Sequence, residues 1–141
     1  MQFELTEEQA MIQGTARRFA AEEIAPTLVE EEIAPTLVEE EKKHEFKKER
    51  VAKMGELGFF TCALPEEFGG SGMGFVESVL MAEQIARVSA SWRLPFNMQN
   101  LGPSLTVAKF GTPQQKKKYI PGWVAGTQLG FFAMTEPNTG S

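Results

Sequence analysis

The feature that most constrains the fold is a succession of helix patterns, each with its own start or stop signal. In the first, the Thr6 hydroxyl can accept from the first free backbone amides while Gln9 reaches back, as in a capping box. Pro26 should end or kink this segment. Apolar residues recur between these two signals at the spacing that places them on one helix face: Ile12, Ala16, Phe19, Ala20 and Ile24. The pattern predicts an amphipathic helix that begins after Thr6.

Two further helices are predicted in the middle of the chain. Residues 46–57 carry apolar side chains on one face, and Gly58 follows them as a left-handed helix end. Residues 75–88 are apolar on more than one side, which is typical of a helix that packs against several neighbours.

The last two helix patterns lie in the second half of the chain. Residues 89–95 are predicted to form a connection, and 98–108 a helix in which Pro103 is a possible kink. The next helix starts at Thr112, with proline at its first position and glutamine at its third. The sequence therefore predicts an all-α fold of about five helices.

Residues 129–135 differ in kind, because their bulky and aromatic side chains lack helical spacing and favour a strand. The chain ends six residues after Thr135, in a turn-rich segment. A strand without a partner is not a stable ending. We expect a helical domain over residues 1–127 and, over 128–141, the first strand of a β-domain whose remainder is missing from this chain.

Composition excludes several classes of protein. The net charge of −5 is unfavourable for binding nucleic acid or an anionic membrane. No apolar run approaches the roughly 20 residues that a membrane helix needs, and the start of the chain resembles neither a secretory signal nor a transit peptide. The one cysteine, Cys62, permits no intrachain disulfide. We expect a cytoplasmic protein, and no spacing of side chains suggests a metal site.

A nine-residue sequence, EEIAPTLVE, occurs twice in succession over residues 22–39. Two copies do not make a repeat fold. Nine extra helical residues would turn the following face by roughly 180°, and the second proline, Pro35, would break the helix. We expect one copy to serve the fold and the other to form an extruded, acidic, solvated segment.

Several short motifs resemble those of the acyl-CoA dehydrogenase family, in the same order and spacing. They are MGELGF over 54–59, PEEFGG over 65–70, GTPQQKKKYIP over 111–121, Gly126, and AMTEPNTGS over 133–141. Apart from the extra nonapeptide, the resemblance covers the whole chain, and glutaryl-CoA dehydrogenases are the most similar members. Two departures concern the last motif: Thr139 stands where a smaller residue is commoner, and the chain ends before the usual aspartate.

The resemblance implies that this chain is the N-terminal helical domain of an FAD-dependent enzyme and the start of its flavin-binding β-domain. Such enzymes remove a proton from Cα and a hydride from Cβ of an acyl-CoA, the hydride going to flavin N5. Their electrons usually pass to an electron-transfer flavoprotein, and they are dimers or tetramers. The catalytic base of most members is a glutamate in a C-terminal bundle. No residue here corresponds to it, so we expect no catalysis by this chain alone.

The segment from Phe132 to Ser141 is the best candidate site. A flavin ring needs hydrogen-bond donors along its edges, which backbone amides at a strand end and a threonine hydroxyl can supply. The resemblance implies that Met134 and Thr135 touch the isoalloxazine and that Ser141 meets FAD phosphate or the CoA part of the substrate. The alternative is an ordinary turn. The predicted cofactor-binding residues are Phe132, Ala133, Met134, Thr135, Gly140 and Ser141.

Arg93 is the candidate for substrate specificity. Glutaryl-CoA dehydrogenases resemble this sequence in having an arginine here, where it reads the distal carboxylate of the acyl group. A guanidinium suits that role because it binds a carboxylate through two parallel hydrogen bonds. The alternatives are a solvated arginine or one stacked on Trp92.

Other functions are compatible with the same sequence. The same fold could serve an acyl-CoA oxidase or a flavin monooxygenase, and a non-catalytic helical module that only packs against a partner is a different class. His44 lies among charged residues and is expected to be solvated. Cys62 is expected to be a small packed residue rather than a nucleophile.

Overall fold

A computed structural model of the protein describes residues 4–25 and 46–138. The predicted all-α class is confirmed. Six α-helices are found in these ranges, together with a π-helix at Ala20–Ile24 and a 3-10 turn at Glu66–Phe68. The α-helices are α1 Glu7–Phe19, α2 Lys48–Glu56, α3 Phe75–Val88, α4 Ala90–Leu101, α5 Pro103–Phe110 and α6 Pro113–Val124.

Two helices start at the capping boxes read from the sequence. At α1, the backbone N–H of Gln9 donates to the Thr6 hydroxyl at 3.2 Å, and the Thr6 N–H donates to the Gln9 side chain at 3.1 Å. Thr112 and Gln115 make the same pair of bonds at α6, at 3.3 and 2.8 Å. Each pair satisfies two of the amides that a helix start leaves free.

The expected connection over 89–95 is wrong, because α4 begins at Ala90 and continues through Pro95. Ser89 caps it, its hydroxyl accepting from the Trp92 N–H at 3.4 Å. Pro95 costs one backbone bond. It is itself buried between the buried Trp92 and Phe96, so packing outweighs that loss. The helix expected over 98–108 is accordingly two helices, broken at Gly102.

The strand expected over Leu129–Thr135 is not formed. Between residues 46 and 138 only Glu136 takes part in a bridge, and residues 131–138 are all exposed. A strand is stabilised by its hydrogen-bonded neighbours, and α5 and α6 offer no sheet edge to this segment.

The core lies between α1, α3 and α4, with α2 packed against α4. Phe59 is central: its ring meets the edge of Phe19 at 5.3 Å between centroids and that of Phe96 at 6.4 Å. A smaller cluster of Leu64, Ala108 and Ile120 joins the 3-10 turn to α5 and α6. The apolar stripe that runs from α1 into the π-helix faces this core, since Ala16, Phe19, Ala20 and Ile24 are buried.

Several predictions fall on residues outside the described ranges. Most of the duplicated segment 22–39, His44, Gly140 and Ser141 are among them. Within residues 4–25 and 46–138, no helix is both long and apolar enough to cross a bilayer.

Candidate functional site

The segment that follows α6 exposes large apolar side chains. Phe131 is 60% exposed, Phe132 49% and Met134 83%. No hydrogen bond joins the backbone of residues 131–134 to another described residue. Several exposed apolar side chains in succession are typical of a surface that binds another molecule or domain.

This segment is attached to the helical domain at Gly130. The Gly130 N–H donates to the side-chain oxygen of Gln99 at 2.8 Å. The Gln99 amide nitrogen donates to the Gln128 carbonyl at 2.7 Å. A side chain at residue 130 would lie 2.9 Å from Pro103 Cβ, so the backbone passes very close to α5. One buried glutamine of α4 therefore fixes where the exposed segment begins.

Sequence reasoning did not identify Gln99. The sequence does contain a pattern that indicates a buried glutamine. Gln99 lies three residues after Phe96 and seven after Trp92, on the same buried face of α4. A glutamine on a buried face must find hydrogen-bond partners. What the sequence could not provide was the partner, which lies 31 residues further along the chain.

Phe132 lies over the break between α4 and α5. A methyl group placed on Gly102 would come within 3.3 Å of Phe132 Cε2. Ala133, Met134 and Thr135 follow, all exposed. The stretch from Phe131 to Thr135 contains no titratable side chain. It can hold a ligand by packing and by backbone hydrogen bonds, and it cannot itself transfer a proton.

Arg93 lies in the first half of α4 and is partly buried. It precedes Gln99 by six residues, or about 9 Å along the helix axis. Among the described residues its guanidinium makes no hydrogen bond or ion pair. The cation over the Trp92 ring is Arg50, at 5.0 Å, while Phe46 stacks on the same ring at 5.2 Å. The stacking alternative for Arg93 is therefore wrong.

Cys62 is buried and packs beside Met73, confirming the prediction of a packed residue. Burial, and secondarily the charge of Glu77, raises the pKa of the thiol to about 11, against a small lowering by the Ser71 hydroxyl. A thiol with that pKa is protonated at neutral pH and is a poor nucleophile.

Glu77 joins α1 to α3. Its carboxylate accepts from the Gln9 side-chain amide at 2.9 Å and from the Gly74 N–H at 2.9 Å. These bonds, with that from Gln9 the larger, hold the pKa of Glu77 below its usual value. Both carboxylate oxygens are thus used at the start of α3, so this carboxylate is structural. Among the described residues, no three His, Cys, Asp or Glu side chains cluster as a metal site.

Comparison with known proteins gives the family. Residues 6–127 match the family described as acyl-CoA dehydrogenase, N-terminal domain. A glutaryl-CoA dehydrogenase of Desulfococcus multivorans is 38% identical over 143 aligned residues, which cover 100% of this chain and 35% of that protein.

Solved structures of the same family are similar to this chain. A glutaryl-coenzyme A dehydrogenase in complex with glutaryl-CoA matches with a TM-score of 0.86 and 36% identity, over 99% of this chain and 34% of that one. An acyl-CoA dehydrogenase from Bacillus anthracis complexed with FAD matches with a TM-score of 0.80 and 32% identity, over 97% of this chain and 22% of the other. The chain thus spans about a third or less of the proteins it matches, and it belongs to the acyl-CoA dehydrogenase family, of which it represents the N-terminal helical domain.

Proposed function

We propose that this chain is the N-terminal part of an FAD-dependent acyl-CoA dehydrogenase, which oxidises the Cα–Cβ bond of an acyl-CoA thioester. The observation that carries the proposal is the segment Phe131–Thr135, just after the helical domain ends. It exposes apolar side chains, and the backbone of residues 131–134 makes no hydrogen bond to another described residue. Residues 1–127 would form that domain, and residues 128–141 would begin the flavin-binding β-domain.

The exposed segment has the chemistry that a flavin ring requires. When bound, FAD would accept the hydride from the substrate. Met134, 83% exposed, would cover part of the ring, and the Thr135 hydroxyl would donate to its edge. The backbone amides of Phe132 and Ala133, unpaired with any described residue, would supply further donors. Gly140 and Ser141, outside the described residues, complete the proposed set, Ser141 also meeting the CoA part of the substrate.

Arg93 supports a dicarboxylic acyl-CoA, such as glutaryl-CoA, as substrate. Its guanidinium is partly buried, and no described residue pairs with it. A partly desolvated cation is stabilised by an anion, and a distal carboxylate would provide one with bidentate geometry.

The partners proposed are those of the resemblance: an electron-transfer flavoprotein as acceptor and further copies of the same subunit. An acyl-CoA oxidase, a flavin monooxygenase and a non-catalytic helical module are the competing functions. The exposed segment favours a flavin enzyme over the helical module, because a module that binds its partner only through helix packing does not require an exposed apolar segment after its last helix.

The experiment is an anaerobic titration of the longer protein to which we propose this chain belongs, followed by its visible spectrum. We expect bound flavin that glutaryl-CoA bleaches and butyryl-CoA does not. Bleaching by butyryl-CoA alone would still support an acyl-CoA dehydrogenase, but it would contradict the proposal that Arg93 binds a distal carboxylate of the substrate. A protein without flavin, or a flavin that no acyl-CoA reduces, would contradict the proposed function.

A further inference from the structure

Gln99 is the most completely bonded buried side chain of α4. It is 1% exposed. Its oxygen accepts from the Gly130 N–H at 2.8 Å, and its nitrogen donates to the Gln128 carbonyl at 2.7 Å and weakly to the Trp123 carbonyl at 3.4 Å. One planar amide thus holds backbone groups on both sides of residue 129.

The next residue shows by contrast that these bonds are specific. Asn100 is 0% exposed, yet neither its side-chain oxygen nor its side-chain nitrogen bonds to a residue within 4–25 or 46–138. Of these two neighbouring buried amides, only Gln99 is bonded to the segment after α6. Removing a bonded buried amide leaves its partners unsatisfied, whereas removing an unpaired one does not.

After Gly130, the chain makes few contacts with the described helices. Gly130 is buried against Pro103, and the Phe132 ring lies over Gly102. Residues 131–134 make no backbone hydrogen bond with other described residues. Relative to α4, the contacts among described residues that place Phe132–Thr135 are the Gln99 bonds and the packing of the Phe132 ring over Gly102. Backbone bonds from Thr127 and Gln128 to Gly122 tie the preceding residues to α6, and Glu136 takes part in a bridge.

Resting on the proposed function, we infer that Gln99 is a positioning residue that sets the flavin-contacting segment relative to α4, the helix that carries Arg93. One rigid helix would then fix the distance between the carboxylate-reading end of the substrate site and the flavin edge. Gln99 acts through Gly130 and touches neither substrate nor cofactor.

The test compares three variants by amide hydrogen exchange at Gly130, normalised to the intrinsic rate. Gln99→Met keeps the side-chain length and removes every bond, and we expect the protection of Gly130 to fall at least about fivefold. Gln99→Glu should protect Gly130 best at the pH values where its carboxyl is protonated. Both forms accept from the Gly130 N–H, but only the protonated form also donates to the Gln128 carbonyl, and burial raises the pKa of that carboxyl. Asn100→Leu, the matched control, should leave Gly130 unchanged.

The same variants are measured in the longer protein for the rate of FAD release and for KM and kcat with glutaryl-CoA. We expect Gln99→Met to release FAD faster and to lower kcat more than it raises KM, with Gln99→Glu recovering at low pH. Unchanged protection in Gln99→Met, or an equal loss in Asn100→Leu, would overturn the inference. If Gln99→Met does not fold, the pH dependence of Gln99→Glu decides alone. A wild-type protein without flavin would refute the proposed function and leave the exchange result standing.

Discussion

Burial decides which side chains of this domain can react. Cys62 lies in the core beside Met73, where desolvation raises the pKa of its thiol to about 11 from an ordinary value of 9.0. Below pH 9 the thiolate fraction is then roughly a hundredfold smaller than that of a free thiol. We predict that iodoacetamide modifies Cys62 only after denaturation, and modification of the native chain at the rate of free cysteine would contradict this.

The same pKa shift makes stability depend on pH. The native state holds the thiol proton more tightly than the unfolded state, so the contribution is fully present below pH 9 and is lost as pH rises through about 11. Urea unfolding should therefore show a steeper loss of stability over that range than in Cys62→Ala, which lacks the thiol. Parallel curves of unfolding free energy against pH for the wild type and Cys62→Ala would contradict the raised pKa of Cys62.

Arg93 yields a prediction about specificity. In the longer protein, Arg93→Met should lower kcat/KM for glutaryl-CoA by about 10- to 100-fold, the cost of a lost hydrogen bond to a charged group. Butyryl-CoA lacks the distal carboxylate and should be affected little. Arg93→Lys keeps the positive charge but loses the two parallel N–H donors of the guanidinium. Its kcat/KM for glutaryl-CoA should therefore lie between those of the wild type and of Arg93→Met. Equal losses for both substrates in steady-state kinetics would mean that Arg93 only supports the fold.

Single residues were predictable from sequence where the signal is local. Burial of Cys62 and of the α1 stripe was correctly expected, since both depend on apolar character and spacing. The role of Gln99 was not predicted, because its hydrogen-bond partner Gly130 lies 31 residues further along the chain. Stacking on Trp92, one of the alternatives for Arg93, is instead made by Arg50, which reaches that ring from another helix.

Contacts between elements depend on glycines that leave room for a neighbour. On α2, a methyl group at Gly55 would collide with the carbonyl of Ala125, where α6 ends. Gly55→Ala should therefore destabilise the chain by about 1–3 kcal/mol. Gly14 on α1 is the matched control, because a methyl there meets nothing within 4 Å. Gly14→Ala should stabilise by roughly 0.5–1 kcal/mol through helix propensity. Thermal unfolding measures both, and equal effects would contradict the contact.

Elements were predictable where capping chemistry marks their ends. The helix over 75–88 was found with its full bounds, and Thr6 and Thr112 start helices as expected. The bounds near Pro95 and the break at Gly102 were not predicted, because tertiary packing around Trp92 and Phe96 overrides the local preference. The strand over 129–135 failed for a related reason: a strand needs a partner, and sequence spacing does not supply one.

The described residues form a helical body that ends in an exposed apolar segment. Its core is closed by α1, α3 and α4, whereas Phe131, Phe132 and Met134 remain exposed next to an anchored glycine. The family and the helical class followed from motifs in order along the chain.

Hydrogen exchange of the longer protein, with FAD bound and with FAD removed, tests whether residues 131–135 contact the flavin. We expect FAD to slow exchange over residues 131–135 and to leave α6, at Pro113–Val124, unchanged. Exchange over 131–135 that is the same with and without FAD would contradict the claim that this segment forms part of the flavin site.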